Sequence, residues 1–278
     1  MLELMIDLHC HSTFSDGALS PEELIQKALK QQIVCLSLTD HDTIAGYTEL
    51  LQAAINTPIK IINGIELSTR WKKYDIHILG YQLKHTDELA ETIMRQNQSR
   101  INRAEEIGEL LNLSGVENAY EKACQLAGHK RVGRPHFARV LLNEGKVRDM
   151  AGAFKNFLGR GKRAYIPTPW ISVAEAVDAI SAAGGQAVIA HPLKYGLTRS
   201  KLHELINEFR EAGGLGIEVV SGEMTVTQIN EMAATSMRFN LLASSGSDFH
   251  SDVSSHIKLG RQQQLPKHCM PIWQDWNI

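Results

Sequence analysis

Short apolar, β-branched runs recur along this chain, and seven of them give out at a polar residue. Residues 4–8 lead into His9 and His11, 33–38 into Asp40 and His41, 59–65 into Glu66, and 74–76 into His77. Further on, 187–190 lead into His191, 215–220 into Ser221, and 241–245 into Asp248 and His250. Runs of this length and composition read as strands. Between them lie amphipathic segments that read as helices. Residues 20–31, opening Ser20-Pro21-Glu22-Glu23, and residues 172–183, opening Ser172-Val173-Ala174-Glu175, carry N-cap and capping-box signals. Alternating strands and helices predict βα units that close into a barrel, whose C-terminal strand ends gather on one face. Ligand-type residues far apart in sequence would meet there.

The βα rhythm stops between residues 86 and 163. That stretch reads as helices over 88–111, 116–126, 134–143 and 150–157, separated by glycine-containing breaks. The expected organisation is a barrel of residues 1–85 and 164–278, with residues 86–163 a helical insertion after the fourth strand that covers the active site.

Composition sharpens the class. A chain of 278 residues, 43% apolar and 22% charged, suits a globular enzyme whose barrel is one domain. The net charge of -2 excludes bulk basicity as a basis for nucleic-acid binding, yet His129 to Arg139 (HKRVGRPHFAR) and Gly159 to Tyr165 (GRGKRAY) make a local basic patch suited to phosphates. No apolar stretch approaches the ~20 residues needed to span a bilayer, and no secretory leader opens the chain. These features predict a cytoplasmic protein with no membrane attachment. Cys10, Cys35, Cys124 and Cys269 form no CxxC pair and read as buried or incidental thiols.

The candidate chemistry lies in the histidines and carboxylates at the strand ends. His9 and His11, two apart, project the same way from one strand and can share a metal, while Cys10 points away from them. Nitrogen and oxygen donors without thiolate suit Mn, Fe or Zn, and a carboxylate-rich set favours Mn or Mg. Glu218 is a charged residue in an otherwise buried strand, costly unless paired. It faces the barrel interior or mouth, where it either hydrogen-bonds a ligating histidine or lines the pocket. His85, His129, His203, His256 and His268 have no matching spacing and receive no role, and Trp170 and Tyr165 are assigned to packing.

The motifs His9-x-His11, Asp16, Thr39-Asp40-His41-Asp42, Gly64-x-Glu66, His77, Ala190-His191-Pro192 and Gly246-Ser247-Asp248-Phe249-His250 resemble, in order and across almost the whole chain, the metal-binding motifs of the PHP (polymerase and histidinol phosphatase) superfamily. Gly133-Arg134-Pro135-His136-Phe137-Ala138, followed by Arg160-Gly161-Lys162 and Tyr165, is similar to its RNase AM-like subgroup of 3′,5′-nucleotide bisphosphate phosphatases and 5′→3′ exoribonucleases. The resemblance implies a distorted (β/α)7 barrel holding three divalent ions, Mn favoured and Fe or Zn possible. His9, His11, Glu66 and Asp248 would hold the first, and Glu66 would bridge to a second held also by His77 and His191. Asp16, His41 and His250 would hold the third. Some relatives have His where Asp16 stands, which implies a harder third site here.

Such a centre hydrolyses phosphoesters. Two ions ~3.5–4 Å apart lower the pKa of a shared water and neutralise charge on the phosphoryl oxygens. The nucleophile is then that water and not a side chain, with Asp40, Glu66 and Asp248 in support, Asp40 orienting a histidine from outside the ligand set and Asp42 capping a helix. Arg134 presents a planar fork to a substrate 5′-phosphate and His136 adds a donor. The expected substrates are nucleoside 3′,5′-bisphosphates and short 5′-phosphorylated RNA, with no obligate protein partner. Three alternatives remain open: a phosphatase for histidinol phosphate or another small phosphomonoester, a non-catalytic metal-binding module in a nucleic-acid complex, and a hydrolase acting on carbon, such as a deaminase or amidase.

Overall fold

The computed structural model describes residues 5–252 and 257–278, so Leu4 and His256 lie outside the described residues. β1 (Met5–Cys10), β2 (Ile33–Leu38) and β3 (Lys60–Trp71) pair in parallel. β3 then turns back through Lys72 and Lys73 into β4 (Tyr74–Tyr81), which is antiparallel both to β3 and to its other neighbour, β6 (Gln186–Ile189). The two-residue β5 (Ile171–Ser172) lies beside β3. β6, β7 (Gly216–Ser221) and β8 (Leu242–Gly246) restore the parallel pattern, giving the order β1-β2-β3-β4-β6-β7-β8. The two ends of this path meet: His11 N–H donates to Phe249 O at 2.9 Å, and Asp248 N–H donates to His9 O at 2.7 Å. The sheet is therefore a nearly closed barrel, as expected of the distorted (β/α)7 class.

The β3–β4 hairpin departs from a simple βα repeat. Glu66 and His77 do not end their strands but sit within them, opposite neighbours in the ladder, with Ser68 paired to His77 and Leu79 to Glu66. Because β4 runs backwards, its N-terminal half lies at the end of the barrel where the parallel strands finish. His77 reaches that end from the opposite chain direction.

Local sequence explains the helices. α1 (Pro21–Lys30) opens with a reciprocal capping box between Ser20 and Glu23, has Pro at its first position and ends with Lys27 and Lys30 against its negative pole. It buries Leu24, Ile25 and Ala28 in one cluster with Cys10, Leu36 and Leu38. α2 (Tyr47–Ala53) follows β2. The segment after β4 is helical: α3 (Asp87–Asn112), α4 (Ala119–Ala127), α5 (Arg134–Asn143) and α6 (Met150–Ala153), the last running into a π-helical turn at Phe154–Leu158. α7 (Val173–Ala182) repeats the capping box with Ser172 and Glu175, and α8 (Arg199–Glu211) and α9 (Val226–Arg238) complete the barrel's helices.

The chain divides into two compact units, Met1–Ile93 with Trp170–Ile278, and Met94–Pro169. These bounds fall later than 86 and 163 for a physical reason. Leu89, in the first turn of α3, is part of the barrel's apolar core and Ile93 packs against it, whereas Ile166 packs against the helical unit's own core of Ile107, Leu111, Phe137 and Leu141. Among the described residues no helix is long and apolar enough to cross a membrane.

Candidate metal centre

Glu66, fully buried in mid-β3, is the hub of the site. Its Oε2 lies 3.1 Å from His41 Nδ1, 3.2 Å from His11 Nε2 and 3.4 Å from His9 Nε2, and its Oε1 lies 2.8 Å from His77 Nδ1 and 3.0 Å from His191 Nε2. Asp248 Oδ1 stands 3.4 Å from His9 Nε2 and 3.3 Å from His11 Nε2. Asp16 faces His250 Nε2 at 3.3 Å and His41 Nε2 at 3.8 Å. All nine metal-ligand candidates thus converge, forming overlapping groups: His11, Asp16, His41 and His250; His9, His191 and Asp248; His9, His11 and Glu66; His41, Glu66 and His77.

These distances fit shared ions. Donor atoms about 2.1 Å from one ion stand about 3.0 Å apart in an octahedral shell and about 3.4 Å apart in a tetrahedral one. Glu66 Oε2 is buried, accepts no hydrogen bond of good geometry, and still has three imidazole nitrogens within 3.4 Å. Lone pairs aimed at a common centre behave this way. The grouping also refines the expected distribution. His41 stands with Glu66 and His77 as well as with Asp16, and His191 stands with His9 and Asp248 as well as with Glu66.

Without ions the charges compensate one another. Burial alone would raise the Glu66 carboxyl, but the fields of His41, His77 and His9 outweigh it and hold the group well below the usual carboxylate range. Burial would likewise depress the His11 imidazole, yet the carboxylates of Asp248 and Glu66 facing its Nε2 hold it up to about 10.

A second layer holds the donors in place. Glu218 accepts from His9 Nδ1 at 2.9 Å through Oε1, leaving His9 Nε2 to face the centre, and from the His191 backbone N–H at 2.5 Å through Oε2. The strand carboxylate singled out in the sequence is therefore paired with a histidine, not free in the pocket. Asp7, two residues before His9, accepts from the backbone N–H groups of Ser247 at 2.9 Å and Gly260 at 2.8 Å, tying β1 to the chain after β8. Tyr195 accepts from His77 N–H at 2.8 Å and donates to Ala190 O at 2.9 Å. Lys194 Nζ pairs with Asp248 Oδ2. The sequence reading missed Asp7, Lys194 and Tyr195. Only Asp7 left a signal, an acidic residue in a buried run in phase with His9 and His11.

Two expectations are corrected. Among the described residues the Asp40 carboxylate hydrogen-bonds serines and not a histidine. It accepts from Ser12 N–H and Oγ, at 2.8 and 2.6 Å, and from Ser15 Oγ at 2.5 Å, and Ser15 Oγ in turn lies 3.5 Å from His11 Nδ1. Asp42 caps no helix: α2 has Gly46 at its N-cap, and Asp42 accepts from Ser68 N–H at 2.8 Å, pinning the chain after β2 to β3. Cys10 does point away from the ligands, its thiol directed at Ser37 O. His191 and Asp248 have positive φ, 23° and 55°, in a region that non-glycine residues occupy at a cost of order 1–3 kcal/mol. The Glu218 and His9 contacts to their N–H groups help to hold them there.

Arg134 and His136 belong to the other unit. Both lie in the first turn of α5, with Arg134 partly buried and His136 buried. His136 Nδ1 accepts from Gly133 N–H at 3.0 Å, which closes the reciprocal cap at the start of α5.

Residues 7–166 match the PHP domain model. A 5′-3′ exoribonuclease from Haemophilus influenzae is 42% identical, with 96% of this chain and 97% of that protein aligned. A 3′,5′-nucleoside bisphosphate phosphatase from Chromobacterium violaceum is 38% identical over 97% of this chain and 95% of its own. A solved structure from C. violaceum, described as an amidohydrolase with bound sulfate and no metal, superposes with a TM-score of 0.93 at 38% identity, covering 98% of this chain and 95% of that one. With a Glu66-centred histidine and carboxylate cluster in a nearly closed barrel, and with these likenesses along nearly its full length, the chain belongs to the PHP family of metal-dependent phosphoesterases.

Proposed function

We propose that this protein hydrolyses the 3′-phosphoester of nucleoside 3′,5′-bisphosphates to give 5′-mononucleotides, and that it removes nucleotides from the 5′ end of short 5′-monophosphorylated RNA. The observation that carries the reading is the convergence of nine imidazole and carboxylate groups, Glu66 at their hub. The names of its relatives point to the same two substrates.

In this reading His9, His11, Asp16, His41, Glu66, His77, His191, Asp248 and His250 hold up to three divalent ions, with manganese favoured by the carboxylates and iron or zinc also compatible. Bound there, the ions activate water and neutralise charge on the phosphoryl group. The protein contributes positioning. Glu218 fixes the ring of His9, Asp7 and Asp42 pin the segments that carry the donors, and Lys194 adds a positive charge beside Asp248. Arg134, through its planar fork, and His136, as a further donor, take the 5′-phosphate. The same chemistry then serves both substrates, because bisphosphate and RNA share a 5′-phosphate and a scissile bond from O3′ to phosphorus. The four free cysteines agree with a reducing compartment, and we place the activity in the cytoplasm.

The deciding experiment loads the purified protein with Mn²⁺ and follows phosphate and 5′-AMP from 3′,5′-adenosine bisphosphate beside 3′-AMP. Rapid turnover of the bisphosphate alone is the expected result. Equal turnover of both removes the 5′-phosphate anchor. Ammonia release from amide or amino substrates, without phosphate release, would instead support the amidohydrolase description carried by the C. violaceum structure.

A further inference from the structure

A cavity of about 210 Å³ opens beside the centre, walled chiefly by His191, Leu193, Lys194, Ser221, Met224 and Gln228. Its walls come mainly from the segments that follow β6 and β7, so it lies at the strand ends that carry the donors. Two of its residues belong to both places. His191 Nε2 is 3.0 Å from Glu66, and Lys194 pairs with Asp248.

The chemistry of the walls points to a ligand. Leu193 and Met224 offer apolar surface, and methionine adapts its shape to what packs on it. Ser221 ends β7 where the other runs deliver a candidate metal ligand, and it is 5% exposed, with a buried Oγ that has no hydrogen-bond partner. The volume is below the ~300 Å³ at which sites for drug-sized ligands begin. It suits one planar base with part of its sugar, not a whole nucleotide.

We infer that this cavity receives the nucleoside on the far side of the scissile phosphate, the second residue of a 5′-phosphorylated RNA. The inference rests on the phosphoesterase reading above. In that reaction the oxygen of water bonds to phosphorus and the bond from phosphorus to O3′ breaks. One water is consumed: its hydroxyl stays on phosphorus and its remaining proton is matched by one taken up at O3′. The first nucleotide leaves with a 3′-hydroxyl, and the phosphorus stays on O5′ of the second. A 3′,5′-bisphosphate has no second nucleoside, so only RNA fills the cavity. The first nucleoside carries the 5′-phosphate assigned to Arg134 and His136, and neither residue is among those that line this cavity. Lys194, between cavity and Asp248, supplies positive charge where the connecting phosphate would pass.

The test compares kcat/KM for the 5′-phosphorylated dinucleotide pApA with that for the 3′-phosphomethyl ester of 5′-AMP, which has the same scissile bond but a methyl group in place of the second nucleoside. In the native protein the dinucleotide is expected to be favoured by about tenfold, the size of burying part of one base against apolar side chains. In Met224→Trp, which fills the cavity, that preference falls toward one. Ser221→Ala, which removes the buried hydroxyl and adds no bulk, lowers it several-fold and serves if the tryptophan variant does not fold. A native preference near one, or a preference that survives both substitutions, overturns the inference and leaves the phosphoesterase standing. Failure of the native protein to hydrolyse either diester or 3′,5′-adenosine bisphosphate overturns the phosphoesterase reading, and the inference with it.

Discussion

Glu218 and His11 show how single residues set the properties of the centre. Glu218 touches none of the space between the donors, yet its two oxygens fix the His9 ring and the backbone of His191. Partners of this kind typically contribute 10–100-fold to metal affinity. Glu218→Gln is therefore expected to weaken Mn²⁺ binding by about that factor while the far-UV circular dichroism stays native, and calorimetric titration reads the change; unaltered affinity would remove the positioning role. His11, with the neighbouring His9 raised in the same direction, contributes to the pH behaviour of the metal-free protein. Its imidazole is held up to about 10, above the ordinary value near 6.5, so its proton contributes stability in full below about 6.5 and that contribution is lost as the pH rises through about 10. Chelator-treated protein should lose thermal stability over that window. Ions compete with the same proton, so metal affinity should rise with pH over the same range. A melting temperature of the chelated protein independent of pH there would contradict the assignment.

At the scale of elements, close approach of strands matters as much as the ligands. A Cβ on Gly246 in β8 would stand 2.3 Å from His9 Cβ and 2.7 Å from His9 N. Gly246→Ala must push β1 away from β8 at the seam where the barrel closes, so it should cost about 1–3 kcal/mol of stability and also displace His9, lowering metal affinity. Ser20→Ala makes the contrast. It removes the N-cap of α1, away from the donors, and should cost about 1 kcal/mol in urea unfolding with metal affinity unchanged. If both variants affect metal binding alike, the seam is not what positions His9. Helix ends such as these were legible in the sequence, because Ser20 with Glu23 and Ser172 with Glu175 are local signals that the fold honours. The direction of β4 was not. Residues 74–76 read as one more apolar run ending in a histidine, and nothing in a period-two pattern says whether its neighbours run with it or against it.

For the molecule as a whole, metal and substrate recognition can be separated. Prolonged chelation should abolish phosphate release and lower the melting temperature, since ligands that bind the native state alone stabilise it, and Mn²⁺ should restore both. Arg134→Ala should leave Mn²⁺ affinity intact, because Arg134 belongs to the other compact unit. It should also reduce kcat/KM for 3′,5′-adenosine bisphosphate by at least about tenfold more than that for 3′-AMP, a charge-assisted phosphate contact being about 1.5–3 kcal/mol. An equal loss on both substrates would place Arg134 in the structure of α5 and not on the phosphate.

The sequence by itself determined which histidines and carboxylates are candidate donors, the strands that carry them, the helical character of residues between β4 and β6, and the family. Those properties are written locally: a buried strand is a run of apolar residues, a cap is a pair three residues apart, and a ligand is a residue type at a run's end. Only the tertiary structure decided that β3 and β4 form a hairpin, that Asp40 reaches His11 through Ser15, that Asp42 ties two strands together, and that Lys194 meets Asp248. Each of these joins residues whose separation in sequence carries no periodic signature, so their pairing follows from how the barrel closes and not from the pattern along the chain.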